Sequence, residues 1–348
     1  MKASILFITY KHEEFVAAAI RAAMFQDYPE IEIVVCDDGS PDGTRTILET
    51  ELADCPAHID VIWASANENV GLHANFNRGL ASCTGDVIVI MSGDDVSLPH
   101  RVSTICKEFS GDPQCMLVCS NWRRIDDKGR DLGNRDKQRN SGVFSYAAAT
   151  NEIYAGAPIC GAAAAYRATI REYFPEMRRG QHAEDNVFWV RALLVGDVRF
   201  LSEVLVLWRA HGENQSNWIN GSNYDLTRDR HLKVLRAHQY MLPQWSRDYA
   251  HALATDLISR RKHDQLMRAA RIKCEYSRLL RFSVTRAPKT LWLRSFYKLL
   301  SEGALSWFLR KSFRKKLRVG LLLRISARKR AAYWRNRRGG ATRESALR

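Results

Sequence analysis

"SILFITYKHEEFVAAAIRAAMFQDYPEIEIVVCDDGSPDGT", residues 4–44, decides the fold. An apolar run at 4–10 gives way to polar residues. A stretch over 13–26 then places Phe15, Ala19, Ala22 and Ala23 at helical spacing, and a second apolar run follows at 31–40. Two strand-length runs around a helical pattern describe a β–α–β unit. Working outward, the pattern repeats. The sequence predicts a helix over 42–53 with Asp42 as N-cap, a strand over 58–65, a helix over 73–83 and a strand over 86–92. The strands are runs of Val and Ile without strict alternation, as expected when both faces of a parallel sheet are covered by helices.

The apolar run at 87–91 ends in "SGDD" (92–95), and that at 31–36 ends in "DDGS" (37–40). Ligands of such sheets gather outside the carboxyl ends of the strands. Adjacent carboxylates repel, and the sequence supplies no Lys or Arg after Asp94–Asp95 until Arg101. A divalent cation is the expected partner, because Mg²⁺ and Mn²⁺ take oxygen ligands and bridge carboxylates to substrate phosphates. A nucleoside diphosphate carried with such a cation would neutralise the acids.

Beyond Leu98 the expected elements are a helix at 99–110, a strand at 115–122, a polar loop or hairpin tip at 126–142, a small-residue stretch at 156–167, a helix at 183–196 and a strand at 198–211. The chain reads as all-helical past about 220. Its 348 residues, 46% hydrophobic, suffice for one large domain or two ordinary ones. The eight cysteines form no C-x-x-C pair, which points to reduced thiols in a cytosolic protein rather than a zinc site. The N-terminus lacks a long apolar core with a small-residue cleavage site and reads as a first strand. No apolar run reaches the length of a membrane span.

The ordered motifs resemble those of family 2 glycosyltransferases of the GT-A fold. They are the 4–44 block, "NVGLHANFNRGLASCTGD" (69–86), "GDD" (93–95), "ED" (184–185) and "WRAHGENQS" (208–216), together covering roughly residues 3–216. The resemblance implies an α/β GT-A domain over 1–219: a Rossmann-like, mostly parallel sheet with helices on both faces. A helical extension over 220–280 and a basic tail over 281–348 would follow. It implies an inverting, metal-dependent transfer of a sugar from a nucleotide-diphosphate donor (UDP-, dTDP- or GDP-linked) to an acceptor hydroxyl; the basic tail adds the expectation that the acceptor is a glycan or lipid-linked carrier at a membrane. Thr9 and Tyr10 would flank the nucleobase and Asp38 would hydrogen-bond the base or ribose. Asp94 would bind the donor, and Asp95 with His211 the Mn²⁺ or Mg²⁺. Arg209 would sit near the diphosphate, and Asp185 would be the general base. Three positions depart from the family pattern: Lys11 where Asn is common, Ser92 where many members carry the first acid of Asp-x-Asp, and Trp208 for the usual Tyr.

Residues 281–348 hold 20 Lys and Arg against two acids, whereas the preceding 280 hold 33 against 36. Within 303–325, Leu305, Leu309, Phe313, Leu317 and Leu321 recur every four residues with basic residues between them. This is the pattern of a basic amphipathic helix on an anionic membrane, which predicts a cytoplasmic enzyme peripheral to the inner face of the membrane. A nucleic-acid-binding protein using the tail is one alternative; the near-neutral body, without interleaved aromatic and basic residues, argues against it. A catalytically silent GT-A scaffold is the other.

Overall fold

The structure, a computed structural model, describes residues 1–133, 140–145, 159–179, 184–212, 241–285 and 289–302. The expected amphipathic helix at 303–325 and parts of the 126–142 loop, the 156–167 stretch and the extension past 220 lie outside the described residues. The chain divides into two compact units, Met1–Trp218 with Ala237–Arg271, and Ile219–Arg236 with Ile272–Arg348.

The first unit is built on a nine-stranded sheet. Strands β1 (Ala3–Thr9), β2 (Ile31–Asp37), β3 (Asp60–Trp63) and β4 (Val87–Ser92) alternate with α1 (Val16–Met24), α2 (Thr44–Leu52) and α3 (Leu72–Ser82). They pair in parallel in the order β3-β2-β1-β4. The chain thus winds outward from β1 through β2 to β3, then crosses back to place β4 on the other side of β1. That reversal puts a crevice at the carboxyl ends of β1 and β4. β1 and β2 are buried over almost every residue, as their unalternating apolar runs require. In α1, Val16, Ala19, Ile20, Ala23 and Met24 form the buried stripe. It packs with Ile5, Phe7, Ile33, Val35, Val89 and Met91 of the sheet into one core.

The second half of the sheet is mixed. After the short β5 (Val96–Ser97) and α4 (Arg101–Gly111) come β6 (Cys115–Ile125), β7 (Gly142–Phe144), β8 (Ala164–Arg167) and β9 (Asp197–Arg209). β8 runs antiparallel between β4 and β6, while β6 and β9 pair in parallel. The last four residues of the small-residue stretch, Ala164–Arg167, are therefore a mid-sheet strand, entered through a 3-10 turn at Gly161–Ala163, with Ala163, Ala164 and Ala165 fully buried. β7, at the end of the polar stretch, pairs with β9. The Asp42 cap requires correction: α2 starts at Thr44 with Gly43 as N-cap, and Asp42 Oδ1 accepts the Thr44 N–H at 3.2 Å from one position further out.

Helix α5 (Glu184–Val195) is buried on all sides from Val187 to Leu194. A helix over 241–254 (α6) faces this unit with Met241, Gln244, Trp245, Asp248, Tyr249 and Ala252, a stripe of helical period. Arg191 of α5 is 2% exposed and Asp248 1%, and they form a bidentate pair with both N···O distances 2.9 Å. Gln244 donates to Asp248 at 2.8 Å and accepts the Arg178 N–H at 2.9 Å. Helix α7 (Arg260–Thr285) follows, and α8 (Lys289–Ser301) lies in the second unit. There Ser295 and Leu299 are buried and Lys298 Nζ stands 3.6 Å from Glu275. Among the described residues no helix is long and apolar enough to cross a membrane.

Candidate functional site

The crevice is assembled from chain turns that leave the sheet together. β1 ends at the buried Thr9, whose Oγ1 lies 3.1 Å from His12 Nδ1. β4 ends at Ser92–Gly93, and the Gly93 N–H still donates to Ile8 at 2.8 Å. A Cβ at Gly93 would collide with the Thr9 and His12 side chains, so glycine here lets the two strand ends close upon each other. Between them Lys11 adopts φ +57°. This left-handed conformation favours Asn over other side chains, a physical reason for the Asn of the family pattern.

Asp94 is the centre of the cluster. His211, just past β9, places Nε2 3.0 Å from Asp94 Oδ2, and His12 Nε2 lies 3.8 Å from the same oxygen. The Ser92 hydroxyl donates to Asp94 Oδ1. The His211 ring rests 4.7 Å from Phe15 and edge-on to His12. One ligand atom from each of His12, Asp94 and His211 lies within 4.8 Å of the others. Two imidazoles and a carboxylate at this spacing suit a divalent cation and are few enough to leave coordination positions open. Burial pushes the Asp94 carboxyl up, but the His211 hydrogen bond, the His12 charge and the Ser92 hydroxyl hold it below the ordinary range. Burial also lowers the His12 pKa, favouring the neutral imidazole that ligates metals.

Asp95 faces other partners. Its Oδ1 accepts the Arg209 N–H at 2.8 Å, and the charges of Arg101 and Arg209 act on it. Burial, followed by the charge of Asp94, raises its pKa. The structure thus groups Asp94, rather than Asp95, with His211. The cations missing from the local sequence come from two arginines, Arg101 and Arg209, brought in by the fold. The Arg209 guanidinium donates to the carbonyls of Asp94 at 2.9 Å and of Asp126 and Asp127 at 3.1 Å, and stacks 5.0 Å over Phe15. These contacts tie β9 to two turns.

At the end of β2, Asp37 accepts from the Ser40 N–H and hydroxyl, and Ser40 Oγ accepts the Lys11 N–H at 2.9 Å. The Asp38 carboxylate receives the backbone N–H groups of Val70 and Gly71, each at 3.0 Å. Gly39, at φ +66°, passes so close to the Glu68 backbone that no Cβ fits. The tip of β2 is thereby fastened to the entry of α3. Half-buried Tyr10 sits beside this turn with Lys11 Nζ 5.4 Å from its ring.

Asp185 opens α5 next to Glu184. Its Oδ1 accepts the Asn186 N–H at 2.6 Å and side-chain amide at 3.0 Å. Gly161 presses against the pair, and a Cβ there would strike the Glu184 carboxylate. Burial pushes Asp185 up to about 6; burial and the Asp185 charge push Glu184 up to about 7. Burial, with the charges of Asp95 and Asp185, raises the pKa of the Cys160 thiol.

Sequence reasoning missed His12 and Glu184. Each had a signal: His12 follows the first strand by three residues, and Glu184 is half of the "ED" pair. Comparison with known proteins bears on the whole arrangement. Residues 4–174 match the model of glycosyl transferase family 2. An uncharacterised glycosyltransferase of Nostoc is 28% identical over 62% of this chain and 66% of its own length. Chondroitin synthase of Escherichia coli is 24% identical over 67% of this chain and 32% of its own. The chain thus spans just under two thirds of the first relative and about a third of the second. Among solved structures, residues 1–349 of Staphylococcus aureus TarS, in complex with UDP-GlcNAc, superpose with a TM-score of 0.52 at 16% identity. That match covers 88% of this chain and 92% of TarS 1–349. The mannosyltransferase PcManGT of Pyrobaculum calidifontis, in complex with GDP-Man and Mn²⁺, gives 0.52 at 17% identity over 88% and 80%. The shared fold is GT-A.

Proposed function

With residues 4–174 belonging to glycosyl transferase family 2, we propose that the chain is a metal-dependent, inverting glycosyltransferase acting on a nucleotide-diphosphate sugar. The observation that carries this reading is the meeting of His12, Asp94 and His211, from three distant parts of the chain, at the strand ends. These three residues would hold the cation. The two imidazoles favour Mn²⁺ over Mg²⁺, which prefers an all-oxygen shell. A bound cation supplies positive charge to the leaving diphosphate. Thr9, Tyr10 and Asp38 line the nucleoside side. Asp95 and Arg209 brace the turn that presents Asp94.

Asp185 takes the proton of the acceptor hydroxyl. The acceptor oxygen forms its bond to the anomeric carbon on the face opposite the departing nucleoside diphosphate, and the configuration inverts without an enzyme nucleophile. A base displaced upward toward neutrality matches that task. The donor is UDP-, dTDP- or GDP-linked, in keeping with the nucleotide sugars bound by TarS and PcManGT. The acceptor is a glycan or lipid-linked carrier at an anionic membrane, reached through the basic C-terminal region.

The test is a thermal-shift screen of UDP-, dTDP- and GDP-sugars with and without Mn²⁺, followed by transfer assays with the donor that stabilises most. Asp185→Asn is expected to keep the shift and lose at least about 100-fold in turnover. No stabilisation by any nucleotide sugar with Mn²⁺ would leave a silent scaffold as the better reading.

A further inference from the structure

We propose that helix α8, Lys289–Ser301, is itself a membrane-docking element that seats on an anionic lipid surface. It forms part of the second unit and lies outside the family match. The inference does not depend on the chemistry assigned to the crevice.

Three observations carry it. First, among the described residues nine large hydrophobic side chains are exposed, and three of them stand on this one 13-residue helix: Leu291 at 41%, Leu293 at 45% and Tyr297 at 66%. Second, they share a face. Thr290, Leu291, Leu293, Arg294, Tyr297, Lys298 and Ser301 are exposed, whereas Ser295 and Leu299 are buried. At 100° per residue the exposed positions fill one arc, with Leu293 and Tyr297 along one border, Leu291 along the other and Arg294 and Lys298 between. Leu293 and Tyr297, continued by half-buried Phe296 and Leu300, make an apolar side next to Arg294 and Lys298, so that on a membrane the apolar groups enter the headgroup region while the long basic stems, that of Lys298 beside Glu275, reach toward phosphates. Third, the charge selects the occupant. Helix α8 belongs to a segment, 281–348, with 20 basic residues against two acidic ones. A second copy of this chain would bring the same positive charge to the face and be repelled; an anionic bilayer is attracted, by about 1 kcal/mol for each basic residue near the surface. The basic residues beyond 302 add attraction but do not explain why α8 leaves two leucines and a tyrosine in water.

The experiment uses the full chain, vesicles of phosphatidylcholine alone or mixed with anionic phosphatidylglycerol, and sedimentation. The wild type is expected to bind only the anionic vesicles. The variant Leu291→Ser/Leu293→Ser/Tyr297→Ser should bind at least about tenfold more weakly, equivalent to about 1.4 kcal/mol. Its circular dichroism and melting temperature should be unchanged, because the replaced groups already face water. Should the triple variant unfold, Tyr297→Glu alone, at the most exposed position, is expected to weaken binding in the same direction. Equal vesicle binding by wild type and folded variants would overturn the proposal and assign attachment to the residues after 302. Binding by neither, tighter binding to RNA than to vesicles, or a wild-type dimer that the variants convert to monomer would overturn it as well. Nucleotide-sugar stabilisation should be the same in wild type and variants, so failure here is distinguishable from failure of the glycosyltransferase reading.

Discussion

At the residue scale the crevice depends on a few side chains whose neighbours dictate their chemistry. His12 contributes one of three ligand atoms, and Thr9 orients its ring. His12→Ala is expected to weaken Mn²⁺ binding at least about tenfold, read by isothermal titration of the metal alone; unchanged affinity would remove His12 from the site. Gly93→Ala should also weaken Mn²⁺ binding and lower the melting temperature, because its Cβ drives Thr9 and His12 apart. The acid pair yields a pH prediction. Glu184 and Asp185 are raised to about 7 and about 6 in the fold, above their ordinary carboxylate values. Between about pH 4 and pH 7 the folded state therefore binds more protons than the unfolded state, and stability falls as pH rises through that window. Replacing Glu184 by Gln should flatten this slope in denaturation curves taken at several pH values. With Asp185 as the proposed base, transfer should run the other way, because the base must be ionised: turnover should drop as pH falls below about 6.

At the element scale, α5 is a helix with apolar residues nearly all round and one arginine. Arg191 is tolerable there only because Asp248 of α6 meets it, with Gln244 and the Pro175 carbonyl completing the set. Removing one partner of a buried pair leaves an uncompensated charge. Asp248→Ala is expected to destabilise the protein by about 3–5 kcal/mol in chemical denaturation; a loss under about 1 kcal/mol would mean that water reaches Arg191. Both helices were legible in the sequence, α5 from its apolar run and α6 only as helical character past 220. Their pairing was not, because the partners are 57 residues apart and no local pattern encodes which buried carboxylate meets which arginine.

At the scale of the whole molecule, charge is segregated: a near-neutral N-terminal 280 residues precede a segment with 18 excess positive charges. Attraction of such a segment to anionic vesicles is screened by salt. Raising NaCl from 0.05 to 0.5 M, which cuts the Debye length severalfold to about 4 Å, should release most of the bound protein. Salt-independent binding would show that apolar insertion alone holds it.

The sequence by itself determined the alternating half of the sheet, the acidic turns at its strand ends and the basic C-terminal segment. Those features are local: hydrophobic period, turn residues and charge runs are read within a window of a dozen residues. Only the tertiary structure decided that β8 enters the sheet antiparallel between β4 and β6, that Asp94 faces His12 and His211 while Asp95 turns to Arg209, and that the charge of buried Arg101 acts on Asp95. Adjacent aspartates look alike in sequence. Strand order and the direction of one turn distinguish them, and both follow from contacts between residues more than a hundred positions apart.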